Sequence, residues 1–354
     1  VIDSGTGYHL VVVGDYHSCG ITTSYTLNCW GYNGYGQLGD GTTILQSSPA
    51  VIDNGINYLR VAAGGRYTCG ITTTNTLKCW GRNSFNNLGE GTSTPRMNPV
   101  IVNSGVVYQT VAAGLSHSCA ITQSGELRCW GHNWSGQIGD GTTTQRTIPI
   151  VVNRGVSYQT IALGGSHSCG INNSGGLHCW GFNGEGRLGD GTTLSKSTPA
   201  SIDSSSSYQL IEAGDTHTCG ITTSGILKCW GNNSSGQLGN GTTTSQTSPI
   251  VIDGGVSYQA VDSGDVHTCG ITTSGVLKCW GGNTYGQVGD GTTSQRELPV
   301  IIDNGTTYQK VCTGWGHSCA ITSTGVLKCW GFNSAGQLGL WHRLLFPKYV
   351  TGIR

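Results

Sequence analysis

Charge is what this sequence has least of. Only 10% of its 354 residues are Asp, Glu, Lys or Arg, and the 18 basic and 18 acidic side chains cancel. Such a balance gives no electrostatic footprint for nucleic acid or an anionic membrane, so neither is expected as a partner. No apolar run approaches the ~18 residues of a membrane-spanning helix. Apolar residues nowhere recur at helical spacing over about ten residues, so helices are not expected before the last few positions. The motifs of familiar catalytic sites are also missing: there is no G-x-S-x-G elbow, no H-E-x-x-H helix and no P-loop. The chain starts at Val1 with no initiator Met or signal-like segment, which reads as a processed product or a fragment.

What replaces charge is Ser, Thr, Asn and Gln, together with 59 glycines that punctuate a repeat. The Trp of a Cys-Trp-Gly triplet recurs at Trp30, Trp80, Trp130, Trp180, Trp230, Trp280 and Trp330, every 50 residues without an insertion. Gly14 to Gly314 and Tyr8 to Tyr308 keep the same interval. Seven copies of one unit are present, and repetition overrides length as a guide to domain count.

Each unit reads as four short strands. In residues 251–300, Tyr258 to Ser263 and Thr268 to Thr272 are β-branched runs, and Ser274-Gly275 is a turn. Val276 to Trp280 is a third strand, and a Gly-rich loop leads to a fourth from Pro299. Four strands cannot bury a face alone, whereas radial stacking gives every sheet two neighbours. The expectation is an all-β, seven-bladed β-propeller of four-stranded antiparallel blades, spanning residues 1–339. Val1-Ile2-Asp3 matches Val51-Ile52-Asp53, while the last unit departs from the pattern after Gly339. The N-terminal segment is therefore expected to pair in blade seven and close the ring. Residues 340–354 form a non-repeat tail, read as an outer strand of blade seven, an intermolecular contact or a loose end.

Fourteen of the 15 cysteines pair within units: Cys19 with Cys29, Cys69 with Cys79, Cys119 with Cys129, Cys169 with Cys179, Cys219 with Cys229, Cys269 with Cys279, and Cys319 with Cys329. A turn centred between each pair puts them opposite one another on a hairpin, where a disulfide fits. Buried free thiols and a metal site are the alternatives, although this spacing supplies two thiols per site and no more. Disulfides throughout would imply an oxidising compartment, placing the chain in secretion or at the cell surface. Cys312 is left over, in a position held by Ala in three other units, either as a small buried residue or as an intermolecular bridge.

The run from His267 to Asn283, with Gly286-Gln287-Val288-Gly289 and Pro299 beyond it, resembles the regulator-of-chromosome-condensation repeat over nearly the whole chain. The resemblance implies a seven-bladed propeller. It extends to nuclear exchange factors, to domains of ubiquitin ligases and photoreceptors, and to secreted bacterial propellers, one of which inhibits a β-lactamase. Paired cysteines and weak charge make this chain look most similar to the secreted bacterial branch. A fold does not settle what its faces bind.

Six units carry a histidine before the first cysteine, at His17, His117, His167, His217, His267 and His317, with Tyr67 in unit two. Equivalent placement argues for a structural role, a ring N–H donated to a backbone carbonyl. Asp40, Asp140, Asp190 and Asp290 precede Gly in turn segments and read as turn acceptors, a single carboxylate being too few for calcium. No catalytic, cofactor-binding or metal residue is assigned, and no cofactor is implied.

Function is sought where the units differ. Two loops vary most, and their large aromatics gather on blades seven, one, two and three: Trp315, Phe332, Tyr16, Tyr32, Tyr35, Tyr67, Phe85 and Trp134. Tyr16, Tyr32, Tyr35, Phe85, Trp134 and Trp315 are the candidate binding residues, because clustered Tyr and Trp dominate interface energetics. The expected function is an extracellular protein-binding or scaffolding propeller and not an enzyme. A structural subunit of an extracellular assembly, self-associating through residues 340–354 or Cys312, and a glycan-binding propeller are the alternatives.

Overall fold

A computed structural model describes residue 2 and residues 6–339. The expected tail at 340–354 lies outside the described residues, as do Val1 and Asp3. Blade one runs Tyr8–Val13, His17–Thr22, Leu27–Gly31 and Gln46–Val51, an antiparallel meander in chain order. Blades two to six repeat it. Blade seven shows three strands among the described residues, Tyr308–Thr313, His317–Thr322 and Leu327–Gly331. The chain is an all-β, seven-bladed propeller, its blades arranged around a central axis.

The first strand of each blade lines the central channel. The second is buried along its whole length in six blades, as in His17–Thr22, and up to but not including Asn172 in blade four, because neighbouring blades cover both faces. The fourth is the outer edge, where Pro49 and its counterparts sit without disrupting a ladder. In the sixth unit this strand spans Arg296–Ile301, three residues earlier than its Pro suggests. A bulge between Cys279 and Gly281 lets the ladder resume with Gly281 opposite Arg296.

In the central hairpin Ile21 faces Leu27 and Cys19 faces Cys29, and each of the seven cysteine pairs is joined as a disulfide with a Cα–Cα separation of 4.1 Å. Cys312 is a free thiol buried at the seam between blades seven and one, with Sγ 3.0 Å from the Val11 carbonyl.

The core lies between the blades. Trp130 of blade three packs on Ile71, Leu77, Leu88 and Val102 of blade two, and its indole N–H donates to the Asn87 carbonyl at 2.9 Å. Six of the seven repeat tryptophans bond in this way. Gly89 makes the approach possible: its φ is +75°, and a Cβ there would stand 2.5 Å from Trp130 Nε1.

The histidines are interblade fasteners, and their partner differs from the expected carbonyl. His17 Nε2 lies 2.9 Å from Thr68 Oγ1 of the next blade, and that hydroxyl donates to the Gln37 carbonyl at 2.7 Å. With the hydroxyl hydrogen committed, the imidazole donates through Nε2. The hydroxyl thus relays the bond to the carbonyl, a step the single-unit pattern does not reveal. Tyr67 reaches both the His117 carbonyl and Ser118 Oγ, at 2.6 and 2.8 Å. Burial pushes His17 down to about 4 and His117, His217, His267 and His317 down to about 3, so these rings stay neutral.

The seam is closed by the same contacts. The Ile2 N–H donates to the Leu327 carbonyl at 3.1 Å, as Ile52 does to Leu27 at 2.9 Å. Ile2 is buried with Trp30, Cys319, Ile321 and Leu327, and Trp30 donates to the Gln337 carbonyl at 2.9 Å.

Candidate protein-binding face

The turn between the first and second strands and the loop between the third and fourth emerge at the same end of every blade, so the two most variable segments share one face. The longer loop is rigid. Asn33 Nδ2 donates to the Thr42 and Ile44 carbonyls while its Oδ1 accepts the Leu38 N–H at 3.0 Å, and blades two to six repeat the device. Asp40 caps the turn by accepting the Thr42 N–H and hydroxyl at 3.0 and 2.8 Å. Burial raises its carboxyl, and these bonds more than offset that and hold it below the ordinary value.

On this frame the aromatic side chains form one connected arc. In blades six and seven, Tyr285 and Trp315 have ring centroids 5.2 Å apart, and Phe332 lies 4.8 Å from Tyr285. Trp315 continues to Tyr16 of blade one at 5.4 Å, Tyr16 to Tyr32 at 6.4 Å, and Tyr32 to Tyr35 at 6.3 Å. There two arginines enter. Arg66 stands over Tyr16 and Tyr35 at 6.0 and 5.4 Å and donates to the Tyr35 hydroxyl at 3.1 Å, while Arg82 bridges Tyr35 and Phe85 at 5.8 and 5.5 Å. Phe85 then meets His132 at 4.8 Å, and His132 meets Trp134 at 4.7 Å. Trp134, 70% exposed, ends the arc in blade three.

The structure therefore brings Tyr16, Tyr32, Tyr35, Phe85, Trp134 and Trp315 into one surface that also includes Phe332. Tyr67 is not part of it, being buried between blades two and three. Tyr285, Arg66, Arg82 and His132 belong to the same two variable loops but are not among the candidate binding residues. The signal was available, since Arg66 holds the unit position of Tyr16, and Arg82 and His132 that of Tyr32.

The arc surrounds one side of the mouth of the central channel, whose rim is set by the residue after each channel glycine, Asp15, Leu115, Asp215, Asp265 and Trp315 among them. Desolvation, then repulsion from Asp215, pushes Asp15 up to about 7, and Asp265 rises to about 7 for the same two reasons. Among the described residues no three His, Cys, Asp or Glu side chains converge as a metal site.

A family model described as the RCC1-like domain matches residues 50–352, and models of the regulator of chromosome condensation (RCC1) repeat match residues 9–37 and 27–71. No curated protein matches the chain in sequence. Among solved structures, human WBSCR16 has a TM-score of 0.81 at 20% identity, covering 91% of this chain and 89% of its own. Prp20p of Saccharomyces cerevisiae, described with its binding to Gsp1p and histones, has 0.79 at 21%, covering 95% and 85%. Yeast RCC1 (Prp20) bound to Kap60 has 0.78 at 21%, covering 88% and 80%.

These matches correct the expectation of a secreted bacterial relative. The similar propellers include yeast RCC1 (Prp20) and human WBSCR16, and the placement of this chain outside the cell is withdrawn with that expectation. Cysteine spacing and weak charge do not distinguish branches of one fold family, because opposed hairpin positions follow from strand register in any of them. Over most of its length, this chain belongs to the RCC1-like domain family.

Proposed function

We propose that this propeller acts by binding and not by catalysis, and that it holds a partner protein on the arc running from Tyr285 through Trp315, Tyr16, Tyr35 and Phe85 to Trp134. The observation that carries this reading is the continuity of aromatic and guanidinium contacts across five blades, with the arginines held between rings. Tyr, Trp and Arg are the residue types that concentrate binding energy, at about 2 kcal/mol or more for a residue at the centre of an interface. Asn33 and its counterparts fix the loops beneath, so little conformational entropy is lost on docking. That yeast RCC1 is described bound to Kap60 supports a protein as the class of ligand.

The test is affinity capture with the intact chain beside a Trp134→Ala/Trp315→Ala variant. A protein retained by the first and lost from the second supports the reading. Retention by both, or binding only to a glycan array, rejects it.

A further inference from the structure

The central channel carries five carboxyl groups that the arc does not use. Asp15, Asp215 and Asp265 stand at its mouth, around a cavity of about 230 Å³. Glu212 and Asp262 lie deeper, on the same two blades as Asp215 and Asp265. Two glycines of the rim make room for these acids: a Cβ at Gly65 would lie 3.0 Å from Asp15 Oδ2, and one at Gly165 would overlap the Asp215 carboxylate. The Asp265 carboxyl lies beside that of Asp215, and burial together with this like-charged neighbour pushes it up to about 7.

None of the five takes part in an ion pair among the described residues, although ten such pairs form elsewhere in the chain. Arg66 near Asp15 and Lys310 near Glu212 are the cations that act on them. A separate observation points the same way. Ser263, between Asp262 and Asp265, is 8% exposed and lines the same cavity, and its hydroxyl has no hydrogen-bond partner among the described residues. The opposite wall is aliphatic, formed by Ala63, Ala113 and Leu163. The bore is thus acidic on blades five and six and apolar on blades two to four.

Like charges buried together are costly unless a cation joins them. A divalent metal needs ligands converging at about 2–2.6 Å, and no such group forms among the described residues. An ammonium has three rotatable donors and accepts a looser set of acceptors. We infer that the channel mouth is a binding site for a linear alkylammonium, its charged head among Asp215, Asp265 and Ser263 and its stem against Ala63, Ala113 and Leu163. The group could come from a free diamine or from a lysine side chain. The site stands independently of the arc and of what the arc binds.

The test is calorimetric titration of the full chain at low salt, with 1,5-diaminopentane in one arm and Nα-acetyl-lysine amide in the other. Saturable binding at one site per chain is expected. Near neutral pH, binding releases protons from Asp15 and Asp265, so the observed heat varies with the buffer's ionisation heat. The charged or titratable neighbours facing these two are Arg66, Tyr16, Tyr285 and Asp215 at the mouth, with Glu212, Asp262, Lys310 and Cys312 below. Binding of the lysine amide as tightly as the diamine identifies a side chain as the source, and binding of the diamine alone identifies a free amine. The Asp215→Asn/Asp265→Asn variant should bind at least ten-fold more weakly while its own thermal midpoint rises, which separates lost binding from lost folding. The inference is overturned if neither probe binds the unaltered chain, if the variant binds as tightly, or if calcium chloride stabilises the chain and the diamine does not.

Discussion

His317 of blade seven lies with Nε2 3.1 Å from Ser18 Oγ of blade one, and that hydroxyl donates to the Gln337 carbonyl at 2.9 Å. This is the contact by which His17 meets Thr68 and His117 meets Ser168, repeated where the two ends of the ring adjoin. The seam is built like any other interface in the ring.

Equivalence of the seam has a thermodynamic consequence. Replacing His317 by Ala removes a buried donor and should cost about 1–3 kcal/mol, as much as His117→Ala within the ring. Chemical denaturation compares the two. A seam variant losing much less than the internal one would show that closure contributes little.

The neutral histidines and the raised acids pull stability in opposite directions with pH. A histidine whose folded value sits near 3 takes up a proton first in the unfolded chain. The stability it confers is therefore intact above its ordinary value of about 6.5 and is lost as pH falls from there toward 3. Asp15 and Asp265, raised to about 7, bind protons first in the folded state and gain stability as pH falls from about 7 toward 4. The Asp15→Asn/Asp265→Asn variant loses that gain, so its thermal midpoint should fall more steeply between pH 7 and pH 5 than that of the unaltered chain. Parallel profiles would mean that the carboxyls titrate normally.

Seven hairpin disulfides leave one thiol, Cys312. Alkylation after denaturation without reductant should mark Cys312 alone, and all fifteen cysteines after reduction. Removing one bridge as Cys119→Ser/Cys129→Ser should cost roughly 2–3 kcal/mol. Marking of the hairpin cysteines before reduction would show free thiols in their place.

Two glycines with similar backbone angles should respond differently to alanine. Gly89 has φ +75° with Trp130 Nε1 in the way, whereas Gly105 has φ +87° and nothing within 4 Å of a Cβ. Gly105→Ala should cost about 1 kcal/mol of backbone strain, and Gly89→Ala roughly 2–3 kcal/mol because the indole must also move. Equal losses would remove the packing argument for the Trp130 interface.

The repeat made the architecture legible, since a fixed period in Trp, Gly and Tyr dictates equivalent sheets, and the cysteine spacing set Cys19 opposite Cys29. Contacts between units were harder to see. The hydroxyl partner of each histidine sits in the neighbouring blade, 51 residues away for His17 and 299 for His317, so a single unit does not reveal the hydroxyl standing between the ring and the expected backbone carbonyl. Asp15 and Asp265 were visible as variable-loop residues, but only ring closure brings positions so far apart in the chain to one channel mouth. Arg66 and Arg82 stand in the same variable loops, but a search for aromatics leaves out the cations seated between the rings. Tyr67, which stands at the histidine position of its unit, takes on the histidine's structural task and so does not join the arc.

Binding by this propeller requires the arc to work as one surface, and affinity measurements on a captured partner test that directly. Trp315→Ala and Trp134→Ala, from the two wings of the arc, should each weaken binding by about 2 kcal/mol, with losses that add because the sites are well separated. Tyr25→Ala, 44% exposed on the opposite face, should leave affinity unchanged. Unchanged affinity in both tryptophan variants, with loss in the Tyr25 variant, would contradict the account and move the binding site to the other end of the channel.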